Sequence, residues 1–411
     1  MKTRIYLRQG IILVVFYFLA GKLGWIFGSA NGIIPLVWPP IGFSLTSFLV
    51  VDRNFWPVLG LGAFLVNYFV TGSAAVALTM ALVSTLIAYI GATMLLQVFG
   101  FRNSMQRWRD VSTFIVVNIL LSGCLCTVMG FVSAFIFHFI PTSRLGIEIA
   151  GWWLGNIGAD LTIAPFLLTW STPVVKEKDR KGYWLEASFL AVTLISFSVQ
   201  VFFRWPQLPY SYYLSPYMVV PFLVWSAYRF WVRGTTFVLL AIYSLGIFAA
   251  WNGVGVFQSF SWDEALMRAH IFIGLLAPVF LLLGAAISEW KLSEKNLEKE
   301  RIILEDKCRH RTEKLILKEA QLEKAQAIAK MGSWERDLST NTVTWSKQTF
   351  VIFGLEPSDS FISFGDFISR VHPEDKEDVV RQIQDMFIVR KPYRCQYRVI
   401  EADPVRLKQV I

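Results

Sequence analysis

The sequence predicts a polytopic α-helical membrane domain of about 8–10 transmembrane helices, then a helical coiled-coil linker and an incomplete α+β domain. Three observations carry that prediction. The 411 residues are 55% hydrophobic and 17% charged, whereas soluble globular chains carry about 25% charged residues. The shortage of charge is confined to the chain before Trp290. That same stretch divides into apolar runs of roughly the 20 residues that cross a bilayer. The expected boundaries are 1–290 for the membrane domain, 291–328 for the linker, 329–400 for the α+β part and 401–411 for a tail.

The candidate spans run over 10–27, 34–51, 55–70, 75–99, 111–139, 147–170, 184–203, 213–228, 235–251 and 271–290. The third, eighth and ninth are short; were two of them re-entrant, the count would fall to eight. The first run follows Lys2 and Arg4 and has no small-residue cleavage pattern, so it reads as a retained span. Charge gives an independent check. With the N-terminus inside, inner loops hold Arg53, then Arg102, Arg107 and Arg109, then Lys176, Lys178, Arg180 and Lys181, then Arg229 and Arg233. Outer loops hold Arg144, Arg204 and Arg268. That bias satisfies the positive-inside rule and places both termini in the cytoplasm. It also accounts for the net charge of +9 without nucleic acid, since no basic stripe with interleaved aromatics occurs on a soluble element. Outer connections such as Trp205–Tyr210 are aromatic, as interfacial belts are.

Several positions invite chemistry. Trp38 and Pro39 lie inside the second run, where two prolines deny backbone donors and kink or break the helix, a feature of binding sites in broken membrane helices; packing alone explains it equally well. Asn67 closes the third run. Trp153, Asn156 and Asp160 lie on the sixth, and a carboxylate at that depth faces a cavity or a partner. Arg229, near Trp225 on the eighth run, is the candidate partner; snorkelling to the interface is the other reading. Cys124 and Cys126 could take a soft metal, but two small buried residues are the simpler account, and the four cysteines form neither a disulfide framework nor a zinc spacing.

In order, Trp38-Pro39-Pro40-Ile41-Gly42, Trp56-Pro57, Gly60-Leu61-Gly62-Ala63, Trp152-Trp153-Leu154-Gly155-Asn156, Pro221-Phe222-Leu223-Val224-Trp225 and Ala285-Ala286-Ile287-Ser288-Glu289 resemble the membrane-associated sensor domain of the first type. The resemblance covers about residues 10–290. It implies a bacterial inner-membrane input domain feeding histidine kinases or diguanylate cyclases, and it supplies no ligand, because the signals of that family are largely undefined.

Beyond Glu289, steps of four and three join Leu297, Arg301, Leu304, Cys308, Arg311, Leu315, Lys318, Leu322, Ala325 and Ala329 into a weak parallel coiled-coil seam, expected to make a homodimer; a single solvated helix is the alternative. Then Gly332-Ser333-Trp334-Glu335, Val343-Thr344-Trp345-Ser346, Phe353-Gly354-Leu355, Val371-His372-Pro373-Glu374-Asp375 and Tyr397-Arg398 are similar to a PAS domain of the third fold subtype. His372 could ligate haem, but His-Pro-Glu-Asp reads as a helix start with proline in the first turn and acids after it. No cofactor is required by the sequence. The last strands of a PAS sheet are expected to be missing. Residues 401–411 resemble the approach to the asparagine-bearing helix of a histidine-kinase ATPase domain.

The expected function is signal input: a protein derived from a two-component sensor kinase, relaying an unknown stimulus through a dimeric coiled coil to the PAS segment, its partners being lipid, a second copy and an unidentified small ligand. No phosphoacceptor-histidine box, nucleotide lid or cyclase signature appears in the chain, which therefore reads as a kinase that lost segments or as a fragment, with no catalysis of its own. The input part of a diguanylate cyclase and a membrane transporter are the alternatives; no internal repeat supports the latter.

Overall fold

The computed structural model describes residues 2–27, 37–137, 141–173, 182–205, 214–337, 339–340, 342–357, 362–389, 395–400 and 407–410. The sequence expectations on Lys176, Lys178, Arg180, Lys181 and residues 206–210 lie outside them. The chain forms two compact units, 1–296 and 297–411.

The first unit is helical: α1 (Lys2–Ile26), α2 (Pro40–Val50), α3 (Trp56–Thr71), α4 (Ala74–Thr93), α5 (Trp108–Phe131), α6 (Leu145–Ser171), α7 (Tyr183–Ser198), α8 (Val220–Trp251) and the start of α9 (Trp262–Ala329). Seven helices among the described residues are long and apolar enough to cross a membrane. This is a multi-pass membrane protein. Their outward faces are apolar, with Leu78, Leu82 and Leu86 on α4 and Phe189, Val192 and Ile195 on α7 all exposed, because lipid rather than water is the solvent there. Helices α4, α5 and α7 each finish in a π turn, at Met94–Val98, Val132–Ile136 and Val199–Phe203.

Contacts fix the direction of each helix. Tyr6 stacks on Phe55 at 4.1 Å and Phe18 meets Phe69 at 5.9 Å, so α1 and α3 run parallel. The return between them is α2, entered beside Gly24 at Val37 and Pro39 and passing Tyr17 at Phe43. Its 11 residues give only about 16 Å of helix, because Pro39 and Pro40 postpone its start. The second candidate run is therefore a short leg.

Helix α8 is two legs. Tyr183 touches Phe230 and Phe197 touches Phe222, an antiparallel pairing with α7. Past Trp231, whose φ of 59° and ψ of −158° are not helical, Phe248 lies against Phe203, so the second leg runs with α7. The eighth and ninth candidate runs are these legs, joined by a one-residue reversal rather than by a loop. Tyr6 bonds Asn54, Asn103 bonds Leu49, and the Trp108 amide bonds Glu289. The start of α1 and the exit segment of α9 thus share one end of the bundle.

In the second unit β1 (Trp334–Asp337) pairs antiparallel with β2 (Thr342–Trp345). Helices α10 (Lys347–Ile352), α11 (Phe364–Ser369) and α12 (Lys376–Val389) follow. Then β3 (Tyr397–Ile400) pairs antiparallel with β4 (Leu407–Val410), with Tyr397 opposite Val410 and Ile400 opposite Leu407. In the tail, Leu407–Val410 is the strand that pairs with β3. The open hydrogen-bonding edge of β3 outweighs the helix propensity of Leu407, Lys408 and Gln409. Val371, Val379, Ile383 and Cys395 form a small core.

Candidate functional site

Helix α6 contains Gly151, Gly155 and Gly158, small enough for neighbours to close around it. At Gly158 an added Cβ would lie 2.9 Å from His270 and 3.2 Å from Tyr243. Two residues on, Asp160 is 2% exposed, and its Oδ1 has no hydrogen-bond partner among the described residues. One turn before it, Asn156 donates to the Cys126 sulfur at 3.0 Å. His270 Nδ1 donates to the Leu266 carbonyl at 2.7 Å. That bond fixes the tautomer, and Nε2 faces the Tyr243 hydroxyl at 3.3 Å.

Four helices thus bring polar groups together inside the bundle: Cys126 from α5, Asn156 and Asp160 from α6, Tyr243 from α8 and His270 from α9. All five are buried. An ionised carboxylate enclosed in this way needs a proton or a positive or hydrogen-bonding partner. Among the described residues no group of three His, Cys, Asp or Glu side chains is placed to hold a metal. Cys124 is exposed while Cys126 is buried, so the two do not form a pair of ligands.

The residues singled out from the sequence divide among several places. Asn156 and Asp160 are in the cluster. Trp153 bonds the Ile119 carbonyl of α5 at 3.2 Å and holds α6 against it. Trp38 and Pro39 lead into α2, which packs on the same helix, where Gly42 faces Ala159 and Ala164. Asn67 donates to the Ala63 carbonyl on its own helix. Arg229 does not reach Asp160. It pairs with both oxygens of Glu186 on α7, which also accepts from Trp225. This corrects the proposed Asp160–Arg229 pair: Glu186, in the first turn of α7, is the nearer carboxylate. Tyr243, His270 and Glu186 were missed by the sequence reading. His270 immediately precedes the last apolar run, between Ala269 and Ile271, which is the signal that could have found it.

The second unit holds a small aromatic cavity with about 50 Å³ for water-sized molecules, room for a few waters. Trp345 lies 4.6 Å from Phe353, and Phe367 stands between Phe353 and Tyr397. Trp334 lies opposite Trp345 in the hairpin. Gly354, at φ +67°, ends the turn after α10. The His372–Asp375 segment clamps α12 to β3. Asp375 accepts from the Arg398 amide at 2.8 Å and from its guanidinium at 2.7 and 3.0 Å. The Arg398 carbonyl accepts from the His372 amide, and Pro373 fills the turn between. The Arg398 guanidinium holds the Asp375 carboxyl well below the usual carboxylate range.

The family model MASE1 matches residues 9–291. The chain belongs to the MASE1 family. In this MASE1 protein a PAS fold matches residues 342–403, the region from β2 through the helices to β3. A blue-light-activated histidine kinase of Brucella anthropi is 31% identical over 130 residues, which is 32% of this chain and 23% of that protein. The chain covers less than a quarter of that relative. No solved structure matches.

Proposed function

We propose that residues 1–411 are the signal-input part of a histidine-kinase-type receptor of the bacterial inner membrane, with both termini in the cytoplasm. The MASE1 unit senses at the Asp160 cluster, α9 carries the state onward as a dimeric coiled coil, and the PAS unit receives it. The order of MASE1, long helix and PAS fold supports this reading, as does the partial likeness to a histidine kinase. The observation that carries the sensing role is the Oδ1 of the enclosed Asp160, which has no hydrogen-bond partner among the described residues. A group so placed responds to whatever proton or small cationic ligand reaches it.

The dimer rests on the apolar seam of α9. Leu297, Leu304, Leu315 and Leu322 are each at least 60% exposed, and a helix of that polarity buries such a stripe against a partner. Cys308 lies on the seam and is exposed, so the chain carries its own reporter. In liposomes of bacterial lipid, the yield of Cys308–Cys308 crosslink is expected to differ between acidic and neutral medium, and Asp160→Asn is expected to flatten that response. A parent chain whose crosslinking ignores pH, or an Asp160→Asn chain that responds like the parent, overturns the proton reading.

A further inference from the structure

The segment where α9 leaves the bundle touches two other helices through groups that those helices leave open. Trp231 sits at positive φ, a costly backbone for a bulky residue, and the reversal of α8 frees backbone groups on either side. Those groups are met by α9. Ser288 Oγ accepts from the Val232 amide at 3.1 Å and itself donates to the Gly284 carbonyl. Lys291 donates to the Tyr228 carbonyl at 2.9 Å. The ammonium groups of Lys291 and Lys295 lie over the Trp231 ring at 5.9 and 5.0 Å. Next to Ser288, Glu289 accepts from the Trp108 amide at 2.9 Å, one of the open donors at the start of α5. On the other side of the reversal, Arg233 donates to the Trp170 and Thr172 carbonyls at the end of α6.

We propose that Ser288–Lys295 is a latch: the α8 reversal and the start of α5 grip α9 at its exit, and the transmitted signal is the loosening or tightening of that grip. α5, α6, α8 and α9 also supply every group of the buried cluster, so a change there acts on helices whose other ends converge on the latch. The latch stands apart from the choice of stimulus: failure of Asp160→Asn to alter the response leaves it intact.

Grip is reciprocal, since a coupling between two elements weakens both when either is altered. Hydrogen exchange of the full chain in lipid nanodiscs reads both sides. Ser288→Ala is expected to speed exchange about tenfold, the loss of one hydrogen bond, in residues 226–236 of α8 as well as in 284–296 of α9. Trp231→Gly, which takes the reversed backbone without strain and removes only the ring, is expected to loosen 284–296. Residues 264–278 stay as in the parent, and so does the chain with Leu292→Ala, which lies on the exposed side of the same turn. Where Ser288→Ala does not fold, Lys291→Met carries the same expectation. Loosening confined to α9, uniform loosening of the whole bundle, or no change overturns the latch.

Discussion

Single residues in the second unit show how much the motif carries. Gly354 takes φ +67°, which a side chain disfavours. Gly354→Ala is expected to cost about 1–2 kcal/mol, read as a lower unfolding midpoint of the second unit in pulse proteolysis of the full chain. Asp375 gives a pH dependence. Its folded-state pKa lies below the unfolded value of about 3.9, so its stabilising effect is complete above about pH 5 and is lost as pH falls through the lowered value. Asp375→Asn is expected to lower the midpoint at neutral pH and to leave it less sensitive to acid than the parent; equal acid sensitivity would refute that role. Both positions are legible in the sequence, because a glycine after a short helix and His-Pro-Glu-Asp before one are local signals. The Arg229–Glu186 pair is not local. Its members are 43 positions apart, and a charge at the end of an apolar run reads the same whether it snorkels or pairs.

Helices were legible as apolar runs, and their limits were not. The two α8 legs correspond to two runs and the break between them falls within the expected 229–234 connection, yet nothing there showed that a single residue, Trp231, would make the turn; Gly234, where a Cβ would collide with Phe230, is the local signal. The residues at the turn itself, Phe230-Trp231-Val232, are ordinary helix formers, and the contacts of Val232 with Ser288 and of Tyr228 with Lys291 are long-range. For α9, the alternation of four and three predicts that an introduced cysteine at Leu304 or Leu315 crosslinks to its copy in a Cys308→Ser chain, whereas one at Lys307 does not. Equal yields at all three positions would remove the parallel seam.

At the scale of the molecule, two kinds of residue composition predicted two units, and the division at 296 lies six residues from the expected boundary. Among the described residues the chain traverses the first unit ten times, α8 counting twice. An even number returns the chain to the side it left. A reporter fused at either end is therefore expected to give the same answer, and the positive-inside rule applied to the loop arginines predicts a cytoplasmic one. Opposite answers from the two fusions would break the traverse order. The buried cluster was half visible. Asp160 and Asn156 stand out as polar residues in an apolar run, whereas Tyr243 and His270 join them only because Gly158 lets their rings close in.

The three π turns have a consequence for the loops that follow them. A π turn closes over five residues where an α turn closes over four, so each of α4, α5 and α7 ends with one residue more than its helix needs. One residue turns a helix by about 100°. Deleting Leu96 would let the ladder close normally and would swing the start of the 99–107 connection about a quarter-turn around α4, carrying Arg102 and Arg107 away from Asp110. The surplus residue sets the compass bearing of the connection, and its length only sets the reach.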